Sequence, residues 1–395
     1  MAGTAAVRSV RQAVRQLKRM DYQGEGWESY REAGRGAIKK MIEGFMERAR
    51  KGYLKDIAAQ GTDDRCNGHY TRHLLTSMGD IELSVPRTRT FSAIRVLRAY
   101  ARREQCVDRM ILACFVLGLS TRKVGTALLP ILGERVSAST VSQIAKTLDA
   151  AVAAFHRRKL SDKYKVLLLD GVVMARKTGA GAVRRPVLVA MGITPEQKKE
   201  ILDFKMSGSE SEQEWDSFLT DLYSRGLKGE ALELVVADGG KGLINALQTV
   251  FPAIPVQHCW AHKTRNITDK VKRADRDSVK RDIRRIYEAT TPRQARNAAR
   301  RFADRWESRY PAAVACLRRD LDELLSFLKL GDPNWYKMAR TTNAIERRFR
   351  EVRRRTRPMG VFSDRTSVER ILYAVFSHLN QQEQTCAPFL LTQNS

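Results

Sequence analysis

Residues 165–174 read Lys165-Val166-Leu167-Leu168-Leu169-Asp170-Gly171-Val172-Val173-Met174, a continuous apolar run with a single acid inside it. Its length and its valine and leucine content predict a strand. Arg185–Thr194 reads as a second strand and Glu200–Ser207 as a third. Glu210–Arg225 has the pattern of an amphipathic helix, and Leu232–Asp238 reads as a buried strand that ends in Asp238-Gly239-Gly240. Lys241–Val250 then predicts a helix and Ile254–Cys259 another strand, so the order is βββαβαβ.

Three strands, a helix and a fourth strand form the opening of the ribonuclease-H-like fold, a mixed sheet covered by helices. In that arrangement the first and fourth strands are neighbours. Downstream, the sequence from His262 to about Leu330 is helical and Arg-rich, and 343–357 and 364–380 predict further helices. Upstream, residues 5–20 set Val7, Val10, Val14 and Leu17 on one face of a basic amphipathic helix, suited to packing with DNA contact or to a membrane surface. Residues 27–50 predict a second helix, with Ile38, Met41, Ile42 and Phe45 at core-facing spacing. Tyr70–Thr76, the turn Ser77-Met78-Gly79-Asp80, and the alternating Ile81, Leu83 and Val85 predict a hairpin. Residues 107–148 return to helix, broken at Gly118-Leu119-Ser120. That layout suits either a helix-turn-helix DNA reader or an ordinary helical bundle.

The expected fold class is therefore α/β. It comprises a ribonuclease-H-like catalytic domain over 161–395, interrupted by an all-α insertion at about 262–335. Before it come a basic helical region (1–60), a small hairpin-containing region (61–105) and a helix-turn-helix-like, DNA-binding region (106–160).

Charge points the same way. The chain has 395 residues and a formal charge of +27, from 71 Lys+Arg against 44 Asp+Glu. Counted by segment, only 161–240 is net acidic, at −2, while 241–330 carries +10. Phosphates neutralise such basic segments, and a local excess of carboxylates inside them is what a divalent-cation site requires. The longest strongly apolar stretch, around Ile111–Leu119, is far shorter than the roughly 20 residues that span a bilayer. No membrane partner and no secretion signal are expected. Cysteines 66, 106, 114, 259, 316 and 386 are scattered, which fits reduced thiols in the cytoplasm.

The strand order brings Asp170, inside the first strand, beside Asp238, just past the fourth. Asp170 could instead end a strand in a turn, and Asp238-Gly239-Gly240 could be a plain turn. An ionised carboxylate buried without a partner is nevertheless costly, and a cation removes that cost. Two divalent ions in phosphodiester chemistry need one more carboxylate, usually from a helix, and Glu346 is the best candidate.

Arg340-Thr341-Thr342-Asn343-Ala344-Ile345-Glu346, followed by Arg353-Arg354-Arg355-Thr356-Arg357 and Gly360-Val361-Phe362, resembles the signature of the Mutator-type DDE transposases of bacterial insertion sequences. The resemblance extends to Gly118-Leu119-Ser120-Thr121-Arg122, Leu169-Asp170-Gly171, Ala237-Asp238-Gly239-Gly240-Lys241-Gly242 and His258-Cys259-Trp260-Ala261-His262, covering about 65–380. It implies Asp170, Asp238 and Glu346 as the catalytic, metal-binding triad. It also implies Mg²⁺, with Mn²⁺ as a substitute, in cleavage and joining of transposon ends. Terminal inverted repeats and target DNA are the expected partners, and a homodimer is the natural way to hold two ends. Two other readings are a related nuclease or recombinase that cuts without joining, and a domesticated regulator that only binds DNA.

Three further features have open roles. Cys259-x-x-His262 resembles the family's Cys-x-x-His element, but two ligands fall short of a structural zinc, so no zinc is expected. Shaping of the active-site rim and core packing are its alternatives. Trp306 is either a core residue or, as in related transposases, a platform for a base near the cut end. Arg122, Lys123, Lys241, Arg347, Arg350, Arg353, Arg354 and Arg355 are the expected DNA contacts. Phe349 departs from the family pattern, which often has Asn there.

Overall fold

The computed structural model describes residues 26–96, 103–132, 134–178, 181–359 and 365–385. The predicted helix over 5–20 and the Gly360-Val361-Phe362 motif lie outside them. The chain is mixed α/β and divides into two compact units, Met1–Lys146 and Thr147–Ser395. The division falls inside the 106–160 segment.

The first unit pairs a long helix, α1 (Gly26–Ala59), with a hairpin of β1 (Cys66–Thr76) and β2 (Gly79–Thr88). The hairpin closes on Ser77 and Met78, with Thr76 opposite Gly79 and Tyr70 opposite Val85. Leu74, Ile81, Leu83 and Val85 form its buried face, with Ile38, Ile42 and Met46 of α1 packed on it. The expected stripe on α1 is thus only partly the buried one. Ile38, Ile42 and Met46 follow an i, i+4, i+8 line, which leaves Met41 and Phe45 more than 40 % exposed. Asp64 latches the open end of the hairpin by accepting hydrogen bonds from the Thr88 and Thr90 hydroxyls, both at 2.5 Å. Among the described residues three more helices follow in this unit: α2 (Gln105–Val116), α3 (Thr121–Leu132) and α4 (Ala138–Ala145). Ser137 caps α4 by accepting from the Thr140 N–H.

The second unit begins with α5 (Leu148–Arg157) and is built on a five-stranded sheet: β3 (Val166–Thr178), β4 (Gly181–Ile193), β5 (Lys199–Met206), β6 (Leu234–Ala237) and β7 (Val256–His258). Its order is β5-β4-β3-β6-β7. The first three strands run antiparallel, and β3, β6 and β7 are mutually parallel. Two helices, α6 (Glu212–Ser224) and α7 (Lys241–Val250), form the crossovers around β6. Their apolar stripes, Trp215, Phe218, Leu219 and Leu222 with Leu243, Ala246 and Leu247, pack on Leu167, Leu169, Leu188 and Val235 of one sheet face.

After β7 the chain is helical: α8 (Trp260–Thr268), α9 (Arg276–Tyr287), α10 (Pro292–Trp306), α11 (Pro311–Arg319), α12 (Leu321–Leu324) and α13 (Pro333–Ala339). Here arginines face water, while Val279, Ile283, Ile286, Phe302 and Trp306 are buried. Gln257 on β7 anchors this segment, donating to the Leu324 carbonyl at 2.9 Å and accepting from the Phe327 N–H at 2.7 Å. The chain then returns to the sheet through α14 (Asn343–Thr356), which packs against β3 and against α15 (Arg365–Thr385).

Phe349 explains the departure from the family pattern. It is fully buried in α14 and meets Phe376 of α15 edge-on, with ring centroids 5.4 Å apart. An asparagine there would need polar partners that this contact does not offer. Phe349→Ala is expected to destabilise the second unit by about 3–5 kcal/mol, measured by urea denaturation.

Candidate active site

The register of β3 on β6 sets the first two acids level. Leu167 faces Val235 and Leu168 faces Val236, so two residues further along each chain stand Asp170 and Asp238. Because side chains alternate along a strand, Leu167 and Leu169 enter the cluster under α6 and α7, and Asp170 points to the opposite face, where α14 lies. Asp170 is 2 % exposed, and its Oδ2 is buried with no hydrogen-bond partner. Burial pushes its carboxyl up to about 7. His262 and a hydrogen bond with the Thr342 side chain act against that rise, and Asp238 and Glu346 add to it.

Asp238 sits in a tight turn, accepting from the Gly240 N–H at 2.8 Å. Gly239 permits the turn: its φ is +86°, and a Cβ there would meet the His258 ring at 3.4 Å. Glu346 lies in the first turn of α14, where the positive end of the helix dipole favours a carboxylate.

The start of α14 is held by the Cys-x-x-His element. Cys259 donates its N–H to the Ala237 carbonyl at 2.7 Å, next to Asp238. Its sulfur accepts from the Thr342 N–H at 3.3 Å and lies 3.4 Å from the Thr342 hydroxyl. Trp260 donates its N–H to the Arg340 carbonyl at 3.0 Å. Thr342 occupies the N-cap of α14 but makes no capping bond with its side chain, which serves Cys259 and Asp170 instead. Burial would raise the Cys259 thiol, yet hydrogen bonds with His262 and Thr342 hold it below its ordinary value. The His262 imidazole is raised to about 9, chiefly by its hydrogen bond with Cys259 and further by Asp170 and Asp238. The element is therefore a bracket between the end of β6 and the start of α14, and it sets a cationic imidazole among the acids.

Asp170, Asp238 and Glu346 are close enough to bias Asp170 electrostatically. Among the described residues, however, no three His, Cys, Asp or Glu side chains stand at metal-ligating spacing. Glu346 pairs with Arg353 at 3.2 Å. An arginine two turns along the same helix thus compensates the Glu346 carboxylate, as His262 does Asp170. Two neighbours escape a reading of the sequence: Thr342, which could have been found as a hydroxyl at a helix start, and Glu210, whose carboxyl Asp238 raises and which carried no signal beyond its charge.

The Mutator transposase family model, "Transposase, Mutator family", matches residues 10–385. The chain belongs to the Mutator family of transposases. The transposase for insertion sequence element IS905 of Lactococcus lactis subsp. lactis (strain IL1403) is 32% identical over 316 residues, 80% of this chain and 79% of that protein. The transposase for element ISRM5 of Rhizobium meliloti (strain 1021) is 32% identical over 360 residues, covering 89% and 88%. That for IS256 in transposon Tn4001 of Staphylococcus aureus is 31% identical over 359 residues, covering 89% and 91%.

In this Mutator-family chain the basic residues divide by environment. Arg122, Lys123 and Lys241 are exposed at the starts of α3 and α7. On α14, Arg347, Arg350 and Arg354 are exposed at i, i+3 and i+7, one stripe of the helix. Arg347 and Arg350 have no carboxylate partner among the described residues, and Arg354 stands 3.7 Å from Glu351. Arg353 is engaged with Glu346. Arg355 corrects the expected set of DNA contacts: it is 9 % exposed and bonded to Glu351 at 2.7 Å, because i, i+4 spacing turns it inward. Of the two readings of Trp306 the structure has the core residue: it is 5 % exposed, and its indole N–H donates to Asp282 at 3.0 Å within the helical segment.

Two outcomes are expected. Trp306→Phe should cost about 1–3 kcal/mol in chemical denaturation, since it strips a donor from the buried Asp282 carboxylate. Asp170→Asn should stabilise the protein in EDTA. A raised carboxyl in the folded state costs stability above the unfolded value of 3.8, with the full cost reached above about 7. The gain of the asparagine variant should therefore be absent below pH 4, grow as pH rises, and level off above pH 7 at on the order of 4 kcal/mol, read from thermal midpoints across pH.

Proposed function

We propose that this chain is a DDE-type DNA transposase that cuts the ends of an insertion sequence and joins them to target DNA. Its second unit is read as a ribonuclease-H-like catalytic domain, with the helical segment after β7 as an insertion. The observation that carries the reading is the Asp170 carboxylate, 2 % exposed, with Oδ2 lacking any partner, beside the turn that holds Asp238. A buried oxygen of this kind fits a hard divalent cation such as Mg²⁺ or Mn²⁺, whose ligands are oxygens.

Asp170, Asp238 and Glu346 would hold the ions. When bound, a pair of such ions activates the attacking oxygen and stabilises the leaving oxygen of a phosphodiester displacement. To hold an ion Glu346 would exchange its pairing with Arg353 for the other acids, and the Arg353 guanidinium would then be free for a phosphate. Thr342 orients Asp170 by its hydroxyl, and Cys259 holds Thr342. The reaction is hydrolysis at the element's end, followed by attack of the freed 3′-hydroxyl on target DNA, with no covalent enzyme intermediate.

The arginine stripe of α14 and Lys241 supply contacts to the phosphate backbone. Helices α2–α4, with Arg122 and Lys123 exposed on α3, are read as the helix-turn-helix reader of the terminal repeats. Two ends must be processed together, and a homodimer meets that need.

The test uses duplex DNA bearing the element's end, with Mg²⁺. Asp170→Ala and Glu346→Gln should shift that DNA in a gel as the parent does, while cleavage falls by several kcal/mol of barrier, about a thousandfold. Undiminished cutting by Asp170→Ala would remove that residue from the site. Joined products in the parent reaction separate a transposase from a nuclease.

A further inference from the structure

We infer that Glu210 is a fourth carboxylate of the cation site, on the Asp238 side of it, an inference that rests on the function proposed above. Glu210 lies in the turn between β5 and α6, immediately before Ser211, the N-cap of α6. Its carboxyl rests against the backbone of the residue next to Asp170. A Cβ at Gly171 would lie 2.5 Å from the Glu210 Cδ and within 2.6 and 2.9 Å of its two carboxylate oxygens. Any side chain at 171 would expel Glu210, so glycine keeps that space for it.

A second contact ties the same turn to the Asp238 loop. Gly242, in the first turn of α7, comes so close that a Cβ would meet the Glu210 carbonyl oxygen at 3.1 Å and the Glu212 nitrogen at 2.7 Å. Asn245 of α7 donates to the Glu212 carboxylate at 2.7 Å, which fixes α6 and α7 in this register. The turn is rigid on its other side too, since Arg185 donates to the Gly208 carbonyl at 3.2 Å and Ser207 to the Ser209 carbonyl at 2.8 Å. Glu210 is thus presented between the strand of Asp170 and the loop of Asp238 by two close glycine approaches, Gly171 against its carboxylate and Gly242 against its backbone.

The electrostatics agree with that placement. Burial and then Asp238 raise the Glu210 carboxyl, and His262, the imidazole that also faces Asp170, opposes them. No lysine or arginine pairs with Glu210 among the described residues. A feature independent of the number of acids points to a ligand: the Oδ2 of Asp170, the residue before Gly171, is buried and unpartnered, and Asp238 and His262 act on both carboxyls. Carboxylates brought together by glycine contacts, one of them dry, repel unless a cation lies among them.

The test is Mn²⁺ binding to the full chain without DNA, followed by the loss of the free-ion electron paramagnetic resonance signal and by the Mn²⁺-induced rise in thermal midpoint. Glu210→Gln, which keeps the side-chain shape, should weaken binding by about tenfold or more and shrink the thermal shift, with the midpoint in EDTA unchanged or higher. Glu212→Gln, two residues away and engaged with Asn245, should bind as the parent does. Glu210→Ala supplies a second variant should the glutamine fold poorly. Parent-like Mn²⁺ affinity in either Glu210 variant, together with lost affinity in Asp170→Asn and Asp238→Asn, would overturn the role of Glu210 alone. Parent-like affinity in all of these would overturn the cation site itself.

Discussion

The parallel pairing of β3 with β6 is the constraint on which the second unit depends. It runs over only Val166–Leu168 and Leu234–Val236, yet it decides which face each residue of the central strand presents and which acids stand level. Adjacent strands lie about 4.8 Å apart, so two chains ending their pairing together deliver their next side chains within reach of one ion. The pairing is secured by burial on the α6 and α7 side, where Leu167, Leu169 and Val235 share one cluster. A slip of one residue would turn Asp170 into that cluster and Leu169 out of it.

Bringing the third acid to this point is a problem of distance along the chain, because the helical segment separates β7 from α14. The solution is a relay of short bonds. Gln257 and Trp260 fasten the far part of the segment at Leu324, and Trp260 and Cys259 fasten its return at Arg340 and Thr342. Each bond is modest alone, at about 1 kcal/mol. They act on groups that are buried, where leaving a donor or acceptor unpaired costs more than the bond itself gives, and that asymmetry is what makes the return specific.

Charge works on two scales. The chain as a whole carries +27, which draws it to polyanions. At the sheet's centre the sign reverses: Asp170, Asp238 and Glu210 act on the His262 imidazole or are acted on by it, and Glu346 acts on Asp170. Keeping carboxylates there costs desolvation that apolar packing does not offset, and Arg353, Thr342 and His262 share the compensation.

Much of this was legible in the amino-acid sequence because strands, amphipathic helices and turns are written in local periodicity. The apolar run around Asp170, the hairpin of Leu74 and Ile81, the crossover helices and the helical stretch from His262 all follow from residues within a few positions of one another. What only the tertiary structure decided was which partner each polar side chain meets. It turned Arg355 inward while Arg354 stayed exposed, seated the Trp306 indole on Asp282, joined Cys259 to Thr342, and left the space beside Gly171 to Glu210. Those outcomes depend on contacts between segments far apart in sequence, where one added Cβ or one turn of helix changes the partner, and no periodicity within a segment encodes them.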